Sequence, residues 1–238
     1  MRMKAHGPFS AAISVEKGRG RVPVIPDIKC VSPKEGDLLR GRAPVQMAKD
    51  LVSWGAPVLS VVTEREHFGG SPELLQAIAA QTEVPVLRKD FIRDVTALRE
   101  TVDLGAKAVL LIAAHVDEGS LARLYEEAYH LGLEPLVEVH TAEEMAFANT
   151  LRPRLLGINN RDIVSLERDS GGPERTCRLA EGRPTGGLLI SESGILSTED
   201  ARQAVLAGAD AVLVGTALWL AADMGSMYQK LREALRHA

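Results

Sequence analysis

Eight short runs of Val, Ile and Leu recur along this chain, each separated from the next by a stretch of helical spacing. The runs cover residues 22–29, 58–63, 84–88, 108–113, 134–139, 155–159, 188–191 and 211–214. Runs this continuously apolar are what strands buried on both faces look like, as in a parallel sheet. Helical patterns fill the gaps at 44–54, 72–80, 95–104, 121–131, 141–150, 174–181, 197–207 and 219–237. Val45, Ala48, Leu51 and Val52, for example, fall on one helical face. Thr141 with Glu144, and Ser197 with Asp200, have capping-box spacing, while Gly105, Gly132 and Gly208 supply stops. The helix at 174–181 is the weakest, following a loose loop at 168–173. Strand and helix in regular alternation predict a parallel α/β fold. Eight repeats within 238 residues predict one (β/α)₈ barrel, the TIM architecture, rather than an open doubly wound sheet. Residues 1–238 then form a single barrel domain, with 1–21 as a short N-terminal extension.

Composition narrows the function classes. The net charge is -4 and no basic stripe is present, so no nucleic-acid partner is expected. With two cysteines, Cys30 and Cys177, neither a disulfide framework nor a four-cysteine zinc site is expected. Met1 to Pro8 is basic but lacks the apolar core of a signal peptide, and no apolar run approaches membrane-spanning length. The expected location is cytoplasmic, with no membrane partner.

In such a barrel the active site lies at the C-terminal ends of the strands. The residues there are Lys29, Glu64, Lys89, His115, Glu138, Asn159, Arg161, Glu192, Ser193 and Gly215. A charge at the end of a buried strand is tolerated where the strand opens on water or substrate. Lys29, Lys89 and Glu138 stand on the first, third and fifth strands, a set that can supply acids and a base. Ser191-Glu192-Ser193-Gly194-Ile195 and Val214-Gly215-Thr216-Ala217 end the last two strands. Small residues there let backbone N–H groups approach a phosphate. One lysine alone reads as solvated rim, and one Gly-Thr as a turn; it is the combination that points to chemistry. Cys30 reads as a packing thiol before a nucleophile. His115 and His140 lack the partners a metal site needs. Asn159-Asn160-Arg161-Asp162 is either a polar turn or a substrate contact.

Those stretches resemble the indole-3-glycerol phosphate synthase family. The resemblance rests on Ile28-Lys29 with Ser32-Pro33, Thr63 with Phe68-Gly69-Gly70-Ser71, and Leu87-Arg88-Lys89-Asp90-Phe91-Ile92. It continues through Ala108-Val109-Leu110-Leu111-Ile112, Leu136-Val137-Glu138-Val139-His140, Gly157-Ile158-Asn159-Asn160-Arg161-Asp162, Glu192-Ser193-Gly194-Ile195 and Ala211-Val212-Leu213-Val214-Gly215. The resemblance implies a carboxy-lyase of tryptophan biosynthesis. It would convert 1-(2-carboxyphenylamino)-1-deoxyribulose 5-phosphate to indole-3-glycerol phosphate, carbon dioxide and water, without cofactor or metal. By the same analogy Lys89 is the general acid and Glu138 the general base. Lys29 pairs with the substrate carboxylate, Asn159 holds a hydroxyl near Arg161, and Asp27 stands where the family usually has glutamate. Phe68, Phe91 and Leu110 form the slot for the anthranilate ring. Ser32, Glu192, Ser193, Gly194, Gly215 and Thr216 complete the substrate contacts, most of them at the phosphate. The implied partner is a small phosphorylated molecule, and association with other tryptophan-pathway enzymes is allowed.

Three departures qualify the resemblance. Asp27 is one methylene short of the usual glutamate. Ser32-Pro33-Lys34-Glu35-Gly36 moves a positive charge of the first loop by one residue. The family usually carries a longer helical extension over the site, so a more open mouth and weaker substrate binding are expected here. Two other readings stay open. One is phosphoribosylanthranilate isomerase, with Cys30 and Asp162 transferring protons. The other is a phosphate-ligand-binding barrel that has lost catalysis.

Overall fold

In the computed structural model, which describes residues 7–161, 172–183 and 185–235, eight parallel strands close into a barrel. They are β1 (Val24–Ile28), β2 (Leu59–Val62), β3 (Val86–Lys89), β4 (Ala108–Ile112), β5 (Glu134–Val139), β6 (Leu155–Asn159), β7 (Leu188–Glu192) and β8 (Ala211–Val214). Successive strands pair in register, and Val24 opposite Val212 and Ile25 opposite Leu213 close the ring. The helices are α1 (Pro8–Gly18), α2 (Pro44–Ser53), α3 (Pro72–Gln81), α4 (Val95–Asp103), α5 (Glu118–His130), α6 (Ala142–Leu151), α7 (Glu174–Leu179), α8 (Thr198–Leu206), α9 (Thr216–Leu220) and α10 (Met224–Arg232). After β1 the chain makes a two-residue antiparallel ribbon, Val31–Ser32 against Gly36–Asp37. No helix among the described residues is long and apolar enough to cross a membrane.

Side-chain alternation decides what the mouth contains. Ile25, Leu87, Leu110, Leu136, Leu155, Ile190 and Leu213 pack together inside the barrel. Their neighbours Val24, Ile28, Val86 and Val212, or Val109, Val137, Leu156 and Leu189, pack outward under the helices. With a period of two, the inward row continues to Lys29, Lys89, Glu138, Asn159, Glu192 and Gly215. One run of sequence therefore builds the core and delivers the charged groups above it.

The last helical pattern, 219–237, is two helices rather than one. Ala221 is extended, and Asp223 caps α10 by accepting from the Ser226 N–H at 2.9 Å; residues 236–237 lie outside the described chain. Helix α5 opens at Glu118, three residues before its apolar pattern, because Asp117 accepts from the Ser120 N–H at 3.0 Å. The capping box at Ser197 and Asp200 is complete. That at Thr141 is half formed, for the Glu144 carboxylate accepts from the His140 N–H at 2.7 Å instead. Helix α7 ends at Leu179 and tightens into a 3₁₀ turn; most of the loop expected before it, 168–171, falls outside the described residues.

Helix α1 had no sequence signal, and its cap comes from far away. The Glu134 carboxylate at the start of β5 accepts from the Phe9 N–H at 2.6 Å and the Ser10 N–H at 3.2 Å. Phe9 and Ile13 then fill the N-terminal end of the barrel interior. The described residues ahead of β1 thus close the bottom of the barrel, at the end opposite the mouth.

Candidate active site

Two adjoining cavities open at the C-terminal ends of the strands, and Lys29 and Lys89 line both. The first, about 350 Å³, is polar: Asp27, Arg161, Ser193, Gly194, Gly215 and Thr216 contribute to its wall. The second, about 340 Å³, is walled by Phe68, Phe91, Leu110, Val62 and Ile112, with Glu64 and Asp90 at its edge. Lys29 stands between them, its Nζ 5.3 Å from the centre of the Phe68 ring.

The loops hold these walls by hydrogen bonds that follow from local sequence. Glu64 accepts from the backbone N–H groups of Glu66, His67 and Phe68 at 2.8–3.0 Å, which folds the loop and seats Phe68. After β3 the alternation sends Lys89 inward and Arg88 outward. Arg88 donates to Thr63 Oγ1 at 3.0 Å, Asp90 Oδ2 at 3.1 Å and Glu100 Oε2 at 2.7 Å. Asp90 in turn accepts from the Phe91 N–H at 2.8 Å. Phe91 meets the His115 ring edge-on at 4.8 Å. On the polar side Ser193 and Gly194 both have positive φ, 60° and 70°. A serine held there is a strained backbone, and such residues cluster at ligand sites.

Beneath the cavities lie Glu138, Asn159 and Glu192, all fully buried. The Glu138 and Glu192 carboxyls face each other there, and neither they nor the Asn159 Nδ2 has any other hydrogen-bond partner among the described residues. Burial first, then the neighbouring Glu138 charge, pushes the Glu192 carboxyl well above its usual 4.5, with Lys89 pulling the other way. At position 157 a Cβ would run into the Glu192 carboxyl, so the glycine leaves room for that side chain. His140 Nε2 lies 3.4 Å from Glu138 Oε1. Asp27 is buried on the far wall, its Oδ1 accepting from Ser60 Oγ at 2.6 Å and its carbonyl from Trp219 Nε1 at 2.9 Å.

The sequence expectations divide accordingly. Lys29, Lys89, Asp27, Arg161, Ser193, Gly194, Gly215 and Thr216 meet in the polar cavity; Phe68, Phe91 and Leu110 meet in the apolar one. Ser32 lines neither, and its Oγ accepts from the Lys34 and Glu35 N–H groups at 3.3 Å. Asn160 belongs to the scaffold rather than the mouth. Ser60, Val62 and Ile112 were not singled out, although counting by twos from Glu64 and Leu110 reaches all three. Burial first and then Asp37 raise the Cys30 thiol above its usual 9.0, so it is not an activated nucleophile. Asp162, the other residue of the isomerase reading, lies outside the described residues.

The profile of the family described as "Indole-3-glycerol phosphate synthase" matches residues 3–231. The chain belongs to the indole-3-glycerol phosphate synthase family. A relative of that name from Pyrococcus furiosus is 40% identical, over 95% of this chain and 98% of its own. Another from Deinococcus radiodurans is 40% identical, over 95% and 84%. Among solved structures, tryptophan synthase subunit alpha from Legionella pneumophila matches with a TM-score of 0.69 at 16% identity, over 98% of this chain and all of its own. Orotidine 5'-phosphate decarboxylase from Pyrococcus horikoshii matches at 0.67 and 15%, over 90% of this chain and 100% of its own. At such identities these last two speak for the barrel alone. The family membership makes the chain a carboxy-lyase of tryptophan biosynthesis that acts on a small phosphorylated substrate, and it favours neither the isomerase nor the non-catalytic reading.

Proposed function

We propose that the two cavities divide one substrate between them, 1-(2-carboxyphenylamino)-1-deoxyribulose 5-phosphate. The observation that carries this reading is their shared wall: the same two lysines face a polar cavity on one side and an aromatic one on the other. The anthranilate ring lies between Phe68, Phe91 and Leu110. The phosphate lies on the Ser193-Gly194 and Gly215-Thr216 backbones, where N–H groups and the start of α9 are near. The reacting carbons then sit beside the lysines.

The chemistry follows from that pose. Lys89 donates a proton toward the ketose carbonyl oxygen as the ring carbon that bears the carboxylate attacks the carbonyl carbon. Lys29 holds that carboxylate until carbon dioxide leaves and its bonding electrons return to the ring. Lys89, reprotonated from solvent after the first step, donates a second proton that carries the hydroxyl away as water, while Glu138 accepts the proton released as the new double bond forms. Asn159 and Arg161 hold the glycerol hydroxyls, and Asp27 balances the two ammonium groups across the cavity. General acid–base assistance of this kind is worth about 10²–10⁴-fold per group. The burial of Glu138 against a second carboxyl, Glu192, supports its role, since such a pair is costly and persists where function keeps it. A cytoplasmic setting goes with this reading, and the free thiols of Cys30 and Cys177 suit a reducing compartment.

The test is indole fluorescence on mixing the protein with the carboxyphenylamino-deoxyribulose phosphate, with Lys89→Ala alongside. The expected result is a rise in the parent that the variant abolishes. A variant that turns over at the parental rate would remove Lys89 from the acid role.

A further inference from the structure

We propose that Asn160, which touches neither cavity, is a positioning residue that sets the shape of the phosphate-holding turn. It stands just after β6 and is buried. Alternation turns Asn159 inward, so Asn160 faces outward, between β7 and α7. Its Nδ2 donates to three oxygens of the neighbouring strand end: Ser191 Oγ at 2.9 Å, the Glu192 carbonyl at 3.0 Å and the Ser193 carbonyl at 3.1 Å. Its Oδ1 accepts from the Thr176 N–H at 2.9 Å and Thr176 Oγ1 at 3.0 Å. Its own N–H donates to the Glu192 carbonyl at 2.8 Å. Thr176 Oγ1 and Ser191 Oγ lie 2.8 Å apart and close the ring of bonds. One amide therefore ties β6, α7 and the end of β7 together.

What it ties is the strained turn. Ser193 has φ 60°, which a serine adopts only when its surroundings over-determine it. The carbonyls on either side of that φ, those of Glu192 and Ser193, are the two that Asn160 grips. With both carbonyls turned outward to Asn160, the turn is held in the one arrangement that lines the polar cavity with Ser193 and Gly194. Helix α7 braces the same place from the other side, Arg175 donating to the Asn159 and Arg161 carbonyls at 2.6 and 2.7 Å. The predicted consequence is a division of labour: Asn160 acts on phosphate affinity, while the lysines and Glu138 act on turnover.

This inference rests on the phosphate reading of the polar cavity, and the experiment separates the two. Asn160→Asp keeps size and the Oδ1 acceptor but puts an oxygen against three oxygens. KM for the phosphorylated substrate and Ki for inorganic phosphate as a competitive inhibitor are measured in parent and variant. We expect both constants to rise together by about tenfold or more, with kcat within about threefold, the scale of losing buried hydrogen bonds. If inorganic phosphate does not compete in the parent, the phosphate reading falls and the inference with it. If it competes equally in parent and variant, or if kcat falls while KM stays, the reading stands and the role of Asn160 is overturned. Should the aspartate variant not fold, Thr176→Val takes its place, because it removes a side-chain donor to Asn160 and leaves the mouth untouched. It is expected to give the same split at about threefold, and unchanged constants there would equally overturn the proposal.

Discussion

The two ends of the barrel treat buried charge in opposite ways. At the bottom the buried carboxylates among the described residues are matched. Glu134 receives the first N–H groups of α1. Asp210 accepts from the Leu189 N–H at 2.8 Å and pairs with Lys17 and Arg183. Glu16 pairs with the equally buried Arg232 at 2.6 Å. At the mouth, Glu138 and Glu192 lie just as deep but face each other, with the His140 ring close to Glu138. Crowding two buried carboxyls costs free energy that matched ion pairs avoid, so the bottom is built for stability and the mouth for chemistry.

Substitutions can break this contrast, and the largest effect is expected at the mouth. Lys89→Ala should lower turnover by about 10³-fold while its midpoint in urea stays close to the parent's; a large loss of stability instead would place Lys89 in the scaffold. Next comes the bottom. Glu16→Gln leaves the Arg232 guanidinium buried without its counter-charge and should cost about 3 kcal/mol in denaturant unfolding. The activity of the folded fraction should not change, and reduced kcat would show that the two ends are coupled.

Glu192→Gln probes the sign of the difference through pH. The Glu192 carboxyl has its affinity for protons raised on folding, so the native state holds a proton the unfolded chain has released above its usual 4.5. Stability from that residue is present below 4.5 and is lost as pH rises through the higher native value. The glutamine variant should therefore gain on the parent as pH is raised from 4.5 toward 8, in thermal unfolding at several pH values. A constant difference across that range would refute the raised proton affinity of Glu192. The smallest effect is expected at the aromatic cavity. Phe68→Leu removes the ring beside Lys29 and should raise KM by about fivefold, the scale of one aromatic contact, with kcat little changed.

The mouth was largely legible because two simple periodicities coincide there. Apolar runs located the strands, and counting by twos carried each inward row from core leucines to Lys29, Lys89, Glu138, Asn159 and Glu192. Parity also separates Arg88 from Lys89 and Asn160 from Asn159, neighbours of similar type with different tasks. The Asn160 bonds themselves could not be read, since their partners Ser191 and Thr176 lie 31 and 16 residues away. Ser32 shows the reverse case: its residue type suits a phosphate, yet its hydroxyl is taken up by the turn it sits in.

By itself, the sequence determined the alternation of strand and helix, the number of strands and the identity of the groups above the core, because these depend on local periodicity and on which residues tolerate burial. Only the tertiary structure decided that α1 plugs the bottom. Its cap is a carboxylate 125 residues further along, and its apolar face is complete only against the closed barrel. The tertiary structure also decided which buried carboxyls meet cations at the bottom and which face each other at the mouth, since a charge finds its partners in space rather than along the chain.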